Sequence, residues 1–211
     1  MNDLLLNTVR NNAHWCDHVV RKKGNSTLFT TLSWHSSQPV PENYPNLITL
    51  KKDLDESEAH ELQKTIESIP LDKFSIKDSF SELEIKNIDF SILFTASWIL
   101  WDKKTYPKAD LKNWQHETDP DADVNYAVKL VNGKPASGFI TNISDGVIGV
   151  TNVFHEDKNE DFWPECIAYI RKSISKLPIV GYERDVELML SKKAGFEEIG
   201  KLRILSLSQS F

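Results

Sequence analysis

The stretch Glu187-Leu-Met-Leu-Ser-Lys-Lys-Ala-Gly-Phe-Glu-Glu-Ile-Gly200 reads as a helix that stops abruptly and turns into a strand. Val186, Met189, Leu190 and Ala194 fall at helical spacing and predict an inward face, with Asp185 as the cap and Gly195 as the left-handed stop. Phe196 to Leu207 then follows as strand material. Immediately upstream, Pro178 to Glu183 predicts a strand. Before that, Trp163, Ile167, Ile170, Ile174 and Leu177 form a helical stripe, with Asp161 as N-cap and Pro164 tolerated in the first turn.

Further outward, Tyr126–Val131 and Ala136–Ile143 flank Asn132-Gly133-Lys134, the pattern of a hairpin closed by an Asn-Gly turn. Ser144-Asp145-Gly146 predicts a second turn, into Val147–Phe154. The order β-β-β-α-β-α-β implies an α/β domain with a mixed sheet. The front of the chain is read as a helix over Asp3–Lys23, β-formers over Leu28–Trp34, and a Pro-punctuated connector from Pro39 to Pro45. A short strand over Asn46–Leu50 follows, then a helix over Asp55–Ser68 ended by Pro70, and a long buried strand over Phe90–Trp101.

The 211 residues are 40% apolar and 27% charged, enough to build a core, so wholesale disorder is excluded. A net charge of -6 lacks the broad basic field of a non-specific nucleic-acid binder, and no nucleic acid is expected as a partner. Cys16 and Cys166 lie far apart and read as reduced, buried thiols. The Met1 end has no basic stretch of the signal-peptide kind, and Phe90–Trp101 is well short of the roughly 20 residues of a membrane helix. A cytoplasmic protein without a membrane partner is the expectation.

The element order and the Ala194-Gly195-Phe196 terminus resemble the GCN5-related N-acetyltransferase (GNAT) superfamily over roughly Phe90 to Ser208. Asn11-Asn-Ala-His-Trp-Cys-Asp17, Tyr44-Pro-Asn-Leu-Ile-Thr-Leu50 and Val180-Gly-Tyr-Glu-Arg184 are similar to a bacterial branch of that family. The resemblance implies a largely antiparallel mixed sheet flanked by helices over 90–211. Residues 1–89 form a front helix/strand segment, read either as an eroded second half or as a lid and homodimer surface. The resemblance also implies that strands matching Val147–Phe154 and Pro178–Glu183 splay apart to receive the pantetheine arm of acetyl-CoA. Val150, Thr151, Asn152, Val153 and Phe154 are then the backbone positions that meet it. A main-chain N–H near Asn152 would hold the oxyanion.

Two departures from that pattern are visible. The loop that should wrap the pyrophosphate reads His155-Glu-Asp-Lys-Asn-Glu-Asp161, with four carboxylates, one lysine and no glycine. Each carboxylate near a pyrophosphate costs on the order of 1 kcal/mol even when screened. The position at which many members carry an acid tyrosine is Ser191, a poor proton donor. For the base, Glu183 and His155 both sit near the expected cleft. Lys192 and Lys193 are candidates to meet the 3′-phosphate of the nucleotide in place of the loop, although a solvated face is the default for such a doublet.

Other constellations carry less. His14, Cys16 and His18 imitate a metal string, but on a helix Cys16 points away from both histidines, so no metal is expected. Trp98 and Trp101 face opposite sides of a strand and form no stacking platform, Trp163 belongs to a core stripe, and Trp34 and Trp114 are left open. Tyr182-Glu183-Arg184 reads equally as an internal ion pair or as part of a site. Two functions remain. One is an acyl-CoA-dependent N-acetyltransferase for a small amine or peptide amine. The other is a catalytically degenerate relative that binds a partner or ligand in the same cleft.

Overall fold

The computed structural model describes residues 3–69, 74–119, 123–155 and 159–207. In chain order its elements are α1 (Leu4–Lys22), β1 (Leu28–Phe29), β2 (Ser33–His35), β3 (Leu47–Thr49), α2 (Glu56–Glu67), β4 (Ser75–Asp78), β5 (Phe90–Trp101) and β6 (Trp114–Asp119). The second half adds β7 (Val124–Val131), β8 (Lys134–Ser144), β9 (Val147–Phe154), α3 (Phe162–Ser173), β10 (Ile179–Glu183), α4 (Asp185–Lys193) and β11 (Glu197–Leu207). The predicted elements of the second half are present, and β4 and β6 are additions that the sequence reading did not separate out. Pro70 lies outside the described residues.

Contacts divide the chain into two compact units. The first comprises residues 1–11 and 97–199, and the second residues 12–96 and 200–211. In the first unit the strand order is β5-β10-β9-β8-β7-β6. Asn132-Gly133 and Asp145-Gly146 all have positive φ, as both tight hairpin turns require. The antiparallel β7-β8-β9 meander follows. Helix α3 returns the chain to β10, which is parallel to β9. The core gathers Ile99, Trp101, Phe139, Ile148, Phe162, Ile167, Ile170 and Leu190, among others, between α3, α4 and one sheet face.

The second unit has the order β1-β2-β3-β4-β11, with Leu47, Leu62, Ile66, Ile76 and Leu205 in its core. Both units repeat one progression. An antiparallel pair (β2–β3, β8–β9) leads through a helix (α2, α3) into a strand parallel to the second member (β4, β10). An antiparallel neighbour then closes each set: β11 beside β4, and β5 beside β10. That closing strand comes from the far half of the sequence in both cases, because β5 follows the first progression and β11 follows the second.

Local chemistry accounts for the helix ends. α4 stops in a Schellman motif, in which the Gly195 N–H donates to Lys192 O at 2.9 Å and the Phe196 N–H to Ser191 O at 3.1 Å, with Gly195 at φ +99°. α2 carries a full capping box between Asp55 and Glu58.

Several expectations are corrected. Asp161 makes no side-chain cap on α3; its own backbone is already helical, so its carboxylate is not aimed at the first-turn N–H groups. Asp185 does not cap α4 either. The cap position is Arg184, and Asp185 uses a positive φ to turn the chain out of β10. Val186 and Met189 lie outside rather than inside, and the buried face of α4 is Leu190 and Ser191. Leu28–Trp34 is not one strand but β1 and the start of β2, because Thr30 accepts and donates across the turn to Ser33. Leu177 lies beyond the end of α3.

The two open tryptophans are both buried. Trp34 donates its indole N–H to Asp17 Oδ1 at 2.9 Å and Trp114 donates to Glu165 Oε2 at 2.9 Å. Glu165 is further held by Lys129 Nζ at 2.7 Å. Cys16 and Cys166 are free and buried, and burial raises both thiols. Among the described residues no His, Cys, Asp or Glu cluster could hold a metal, and no helix is long and apolar enough to cross a membrane.

The N-terminal turns of α1 are clasped to the first sheet by reciprocal amides. Asn11 Nδ2 donates to Asn142 O at 3.1 Å, and Asn142 Nδ2 donates back to Asn11 O at 3.0 Å. Gly149 makes room for the clasp; a Cβ there would lie on the Asn11 side chain and 2.7 Å from Asn142 Oδ1. The Gly149→Ala variant is therefore expected to lose about 1–3 kcal/mol of stability, by overpacking and by breaking the buried amide hydrogen bonds, read as a lowered thermal midpoint.

Candidate functional site

The parallel register between β9 and β10 is short. Ile148 pairs with Ile179 and Gly149 with Val180, and there the register ends, although both strands continue. β10 stays paired with β5 along its whole length, down to Glu183 opposite Ser97. It is therefore β9 that leaves.

The reason lies in β9 itself. Opposite β8 its register runs Val150–Thr141 and Thr151–Ile140, then jumps to Phe154–Gly138, so three steps on β9 match two on β8. The extra residue is a bulge, and Asn152 sits in it at φ +50°, a backbone region that asparagine tolerates better than most residues. A bulge bends its strand, and beyond Gly149 and Val180 no ladder joins Thr151–Phe154 to Gly181–Glu183, which leaves a notch in the pairing.

Glu183 is half-buried at the end of β10. Burial, and next the nearby Glu187 carboxylate, raise its carboxyl to about 8. Glu187, on the first turn of α4, is itself tied down. It accepts from Trp163 Nε1 at 3.2 Å and bonds His155 Nε2 at 3.0 Å. The His155 ring stacks on Phe162 at 4.4 Å. Side chains from the end of β9 and from the first turns of α3 and α4 thus converge on one carboxylate beside Glu183.

Of the predicted site residues, Glu183 ends β10, Asn152 lies in the β9 bulge, and His155 follows β9 and bonds Glu187. Val150 is buried in the core and Val153 packs against it, while Thr151 is half-buried and Phe154 is exposed. Ser191 is fully buried and donates its hydroxyl to Leu188 O at 2.9 Å, inside its own helix. Lys192 and Lys193 are exposed and paired, with Glu198 at 2.6 Å and Glu160 at 2.8 Å. Arg184 pairs with Asp185 at 3.6 Å rather than with Glu183, and Tyr182 meets the Trp98 ring edge-on. Glu156, Asp157 and Lys158 of the acidic loop lie outside the described residues.

Sequence reasoning passed over Glu187, whose only signal was its place four residues after Glu183 across a strand-to-helix turn. It also passed over a cleft of about 630 Å³ on the sheet face opposite α3, lined in part by Asn152 and Phe154.

No family model matches the sequence. No match is found among curated proteins either. Solved structures do match. A GCN5-related N-acetyltransferase from Kribbella flavida superposes with a TM-score of 0.58 at 10% identity, covering 96% of each chain. A protein from Novosphingobium aromaticivorans, ascribed to the GNAT family, gives 0.58 at 8% identity over 100% of this chain and 98% of that one. A conserved protein of unknown function from Staphylococcus epidermidis gives 0.57 at 9% identity over 87% and 94%. The chain has the fold of the GCN5-related N-acetyltransferases.

Glu183 makes a pH signature. Its folded value of about 8 lies above the ordinary 4.5, so the native state holds a proton that the unfolded chain releases first. Stability therefore falls as pH rises through that window and levels off above it. Glu183→Gln is expected to melt higher than the parent at pH 8.5 and close to it at pH 5. Parallel pH curves for the two proteins would remove the burial argument.

Proposed function

We propose that the first unit is an acyl-CoA-dependent N-acetyltransferase acting on a small amine or peptide amine, with Glu183 as the proton acceptor. The observation that carries this reading is a carboxyl held near neutrality on one arm of a splayed parallel pair whose other arm is bulged. A base works best when its pKa lies near the working pH, which Glu183 satisfies and an ordinary carboxylate does not.

The residues present fit acetyl-CoA along its backbone-binding parts. Beyond Val150 and Val180 the two strand edges part, which is what a pantetheine arm adding like a strand needs. The first turn of α3 receives no side-chain cap from Asp161, so its N–H groups and dipole suit a pyrophosphate. Glu160 is neutralised by Lys193 in a solvent-exposed pair that can exchange for a phosphate. When bound, acetyl-CoA supplies the activated acyl group. Glu183 takes the proton from the attacking nitrogen, the Glu187–His155–Trp163 network fixes the charge beside it, and the main chain at the Asn152 bulge faces the developing oxyanion.

One observation favours the degenerate reading instead. Ser191 is sealed in its helix and cannot serve as an acid. A second inference concerns the front of the chain, which we read as an eroded second copy. The repeated β2-β3-α2-β4 progression supports it, and the Asp55–Glu58 capping box at α2 leaves that copy no free helix end for a phosphate.

Thermal melting with acetyl-CoA tests the proposal. A ligand at about a hundred times its Kd adds about 2.7 kcal/mol, so the midpoint should rise by several degrees at millimolar acetyl-CoA. Glu183→Gln should bind acetyl-CoA with unchanged Kd and acetylate amines about a hundredfold more slowly. No shift with acetyl-CoA or CoA would favour the degenerate relative.

A further inference from the structure

The cleft of about 630 Å³ is large enough for a small-molecule ligand and lies on the sheet face that α3 leaves uncovered. Strand register orders its walls. One row runs across the face as Glu117, Tyr126, Ile140 and Thr151, and the next as Gln115, Val128, Gly138 and Phe154. Gly138 is the depression in the second row. A Cβ there would lie 2.8 Å from Phe154 Cζ and 2.7 Å from Ala127 O, so the missing side chain is what seats the Phe154 ring. Tyr126 and Phe154 are both exposed, at 38% and 48%, which is unusual for large rings on a sheet face.

Charge is distributed unevenly along this cleft. Glu117 stands on β6 at one end, and no lysine or arginine is among the described lining residues. Asn152, at the bulge, stands at the other end. From β6 to β9 is three strand spacings, about 14 Å. Between the two ends the surface is Tyr126, Val128, Ile140 and Phe154, apolar and aromatic. A ligand that complements this surface is long and apolar in its middle and carries positive charge at the Glu117 end. If its other end is the nitrogen brought to the notch, that end is an amine too.

We infer that the cleft is the acceptor site and that it takes a linear diamine or polyamine, held at one end by Glu117, with its methylene chain on Tyr126 and Phe154 and its reacting nitrogen beside the Asn152 bulge. This assignment rests on the acyltransferase reading of the notch. Aromatic faces suit such a chain because they attract ammonium groups as well as methylenes.

The test compares two ligands that differ only in the charge at the Glu117 end, mono-N-acetyl-1,8-diaminooctane and N-octylacetamide, by calorimetric titration of the full chain without acetyl-CoA. The charged ligand should bind about fivefold tighter at low salt, the scale of one exposed ion pair, and the advantage should shrink as salt is raised. Glu117→Gln, a change on an exposed strand, should abolish the advantage while leaving N-octylacetamide affinity unchanged. Phe154→Ala should weaken both ligands alike. Equal affinity for the two ligands, or an advantage that survives Glu117→Gln, overturns the assignment. If acetyl transfer to amines occurs and the charged ligand still has no advantage, the cleft assignment alone fails. If that advantage is present and acetyl-CoA neither binds nor reacts, the acyltransferase reading fails and the cleft stands as a polyamine-binding site.

Discussion

Two backbone pairs, Ile148 with Ile179 and Gly149 with Val180, are the whole of the parallel contact between β9 and β10. Everything proposed for the first unit depends on that contact being short. Were the register carried on to Phe154, Glu183 would lie in a continuous sheet with no space on its β9 side. The bulge at Asn152 prevents this at modest cost, because β8 still satisfies β9 on its far edge and β5 satisfies β10 along its full length. The open edges are confined to the segments beyond Gly149 and Val180.

The same progression in the second unit shows how a fold of this kind can be closed. There β3 and β4 pair as Leu47–Ile76 and Ile48–Lys77, and the next step is stitched by the Ser79 N–H donating to Thr49 Oγ1 at 2.8 Å. Asp78 at the end of β4 is buried against Arg203, with Nε to Oδ2 at 2.8 Å. The helix that follows β3 begins with a capping box, whereas the helix that follows β9 begins without a side-chain cap. Closed strands and a capped helix in one unit, and open strands and an uncapped helix in the other, are differences of a few residues on one chain path.

Much of this was legible in the sequence, because it rests on local chemistry. Asn132-Gly133 and Asp145-Gly146 allow few turns other than the ones they make, and Ala194-Gly195-Phe196 encodes a Schellman stop. Glu183 and His155 could be named from their places at strand ends. What was not legible depended on partners distant in sequence. β6 reads as a polar, unremarkable stretch because it is an exposed edge, and its anchors, Trp114 and His116, find Glu165 and Tyr169 on α3. β4 is four residues long and hides Lys77 and Asp78 in a core, against the expectation for charged side chains. Asp161 and Asp185 are where composition misled: aspartate suits a cap, and in both cases the backbone dihedral decides otherwise.

Glu183 and Glu187 illustrate why a site of this sort weighs on the stability of its own unit. Two carboxylates held near each other, one of them half-buried, resist sharing two negative charges, and the pair is kept together only because Trp163 and His155 hold Glu187 in place. Removing that support would let Glu187 swing to solvent, where it would no longer repel charge on Glu183. The carboxyl of Glu183 would then lose the smaller of its two upward pushes and stay raised by its burial. The indole of Trp163, buried in the core as its helical spacing predicted, is thus also part of the electrostatics of the notch. A residue assigned to packing by its periodicity can carry a polar duty through its one N–H, and here that N–H points at Glu187, the carboxylate that adds to the rise at Glu183.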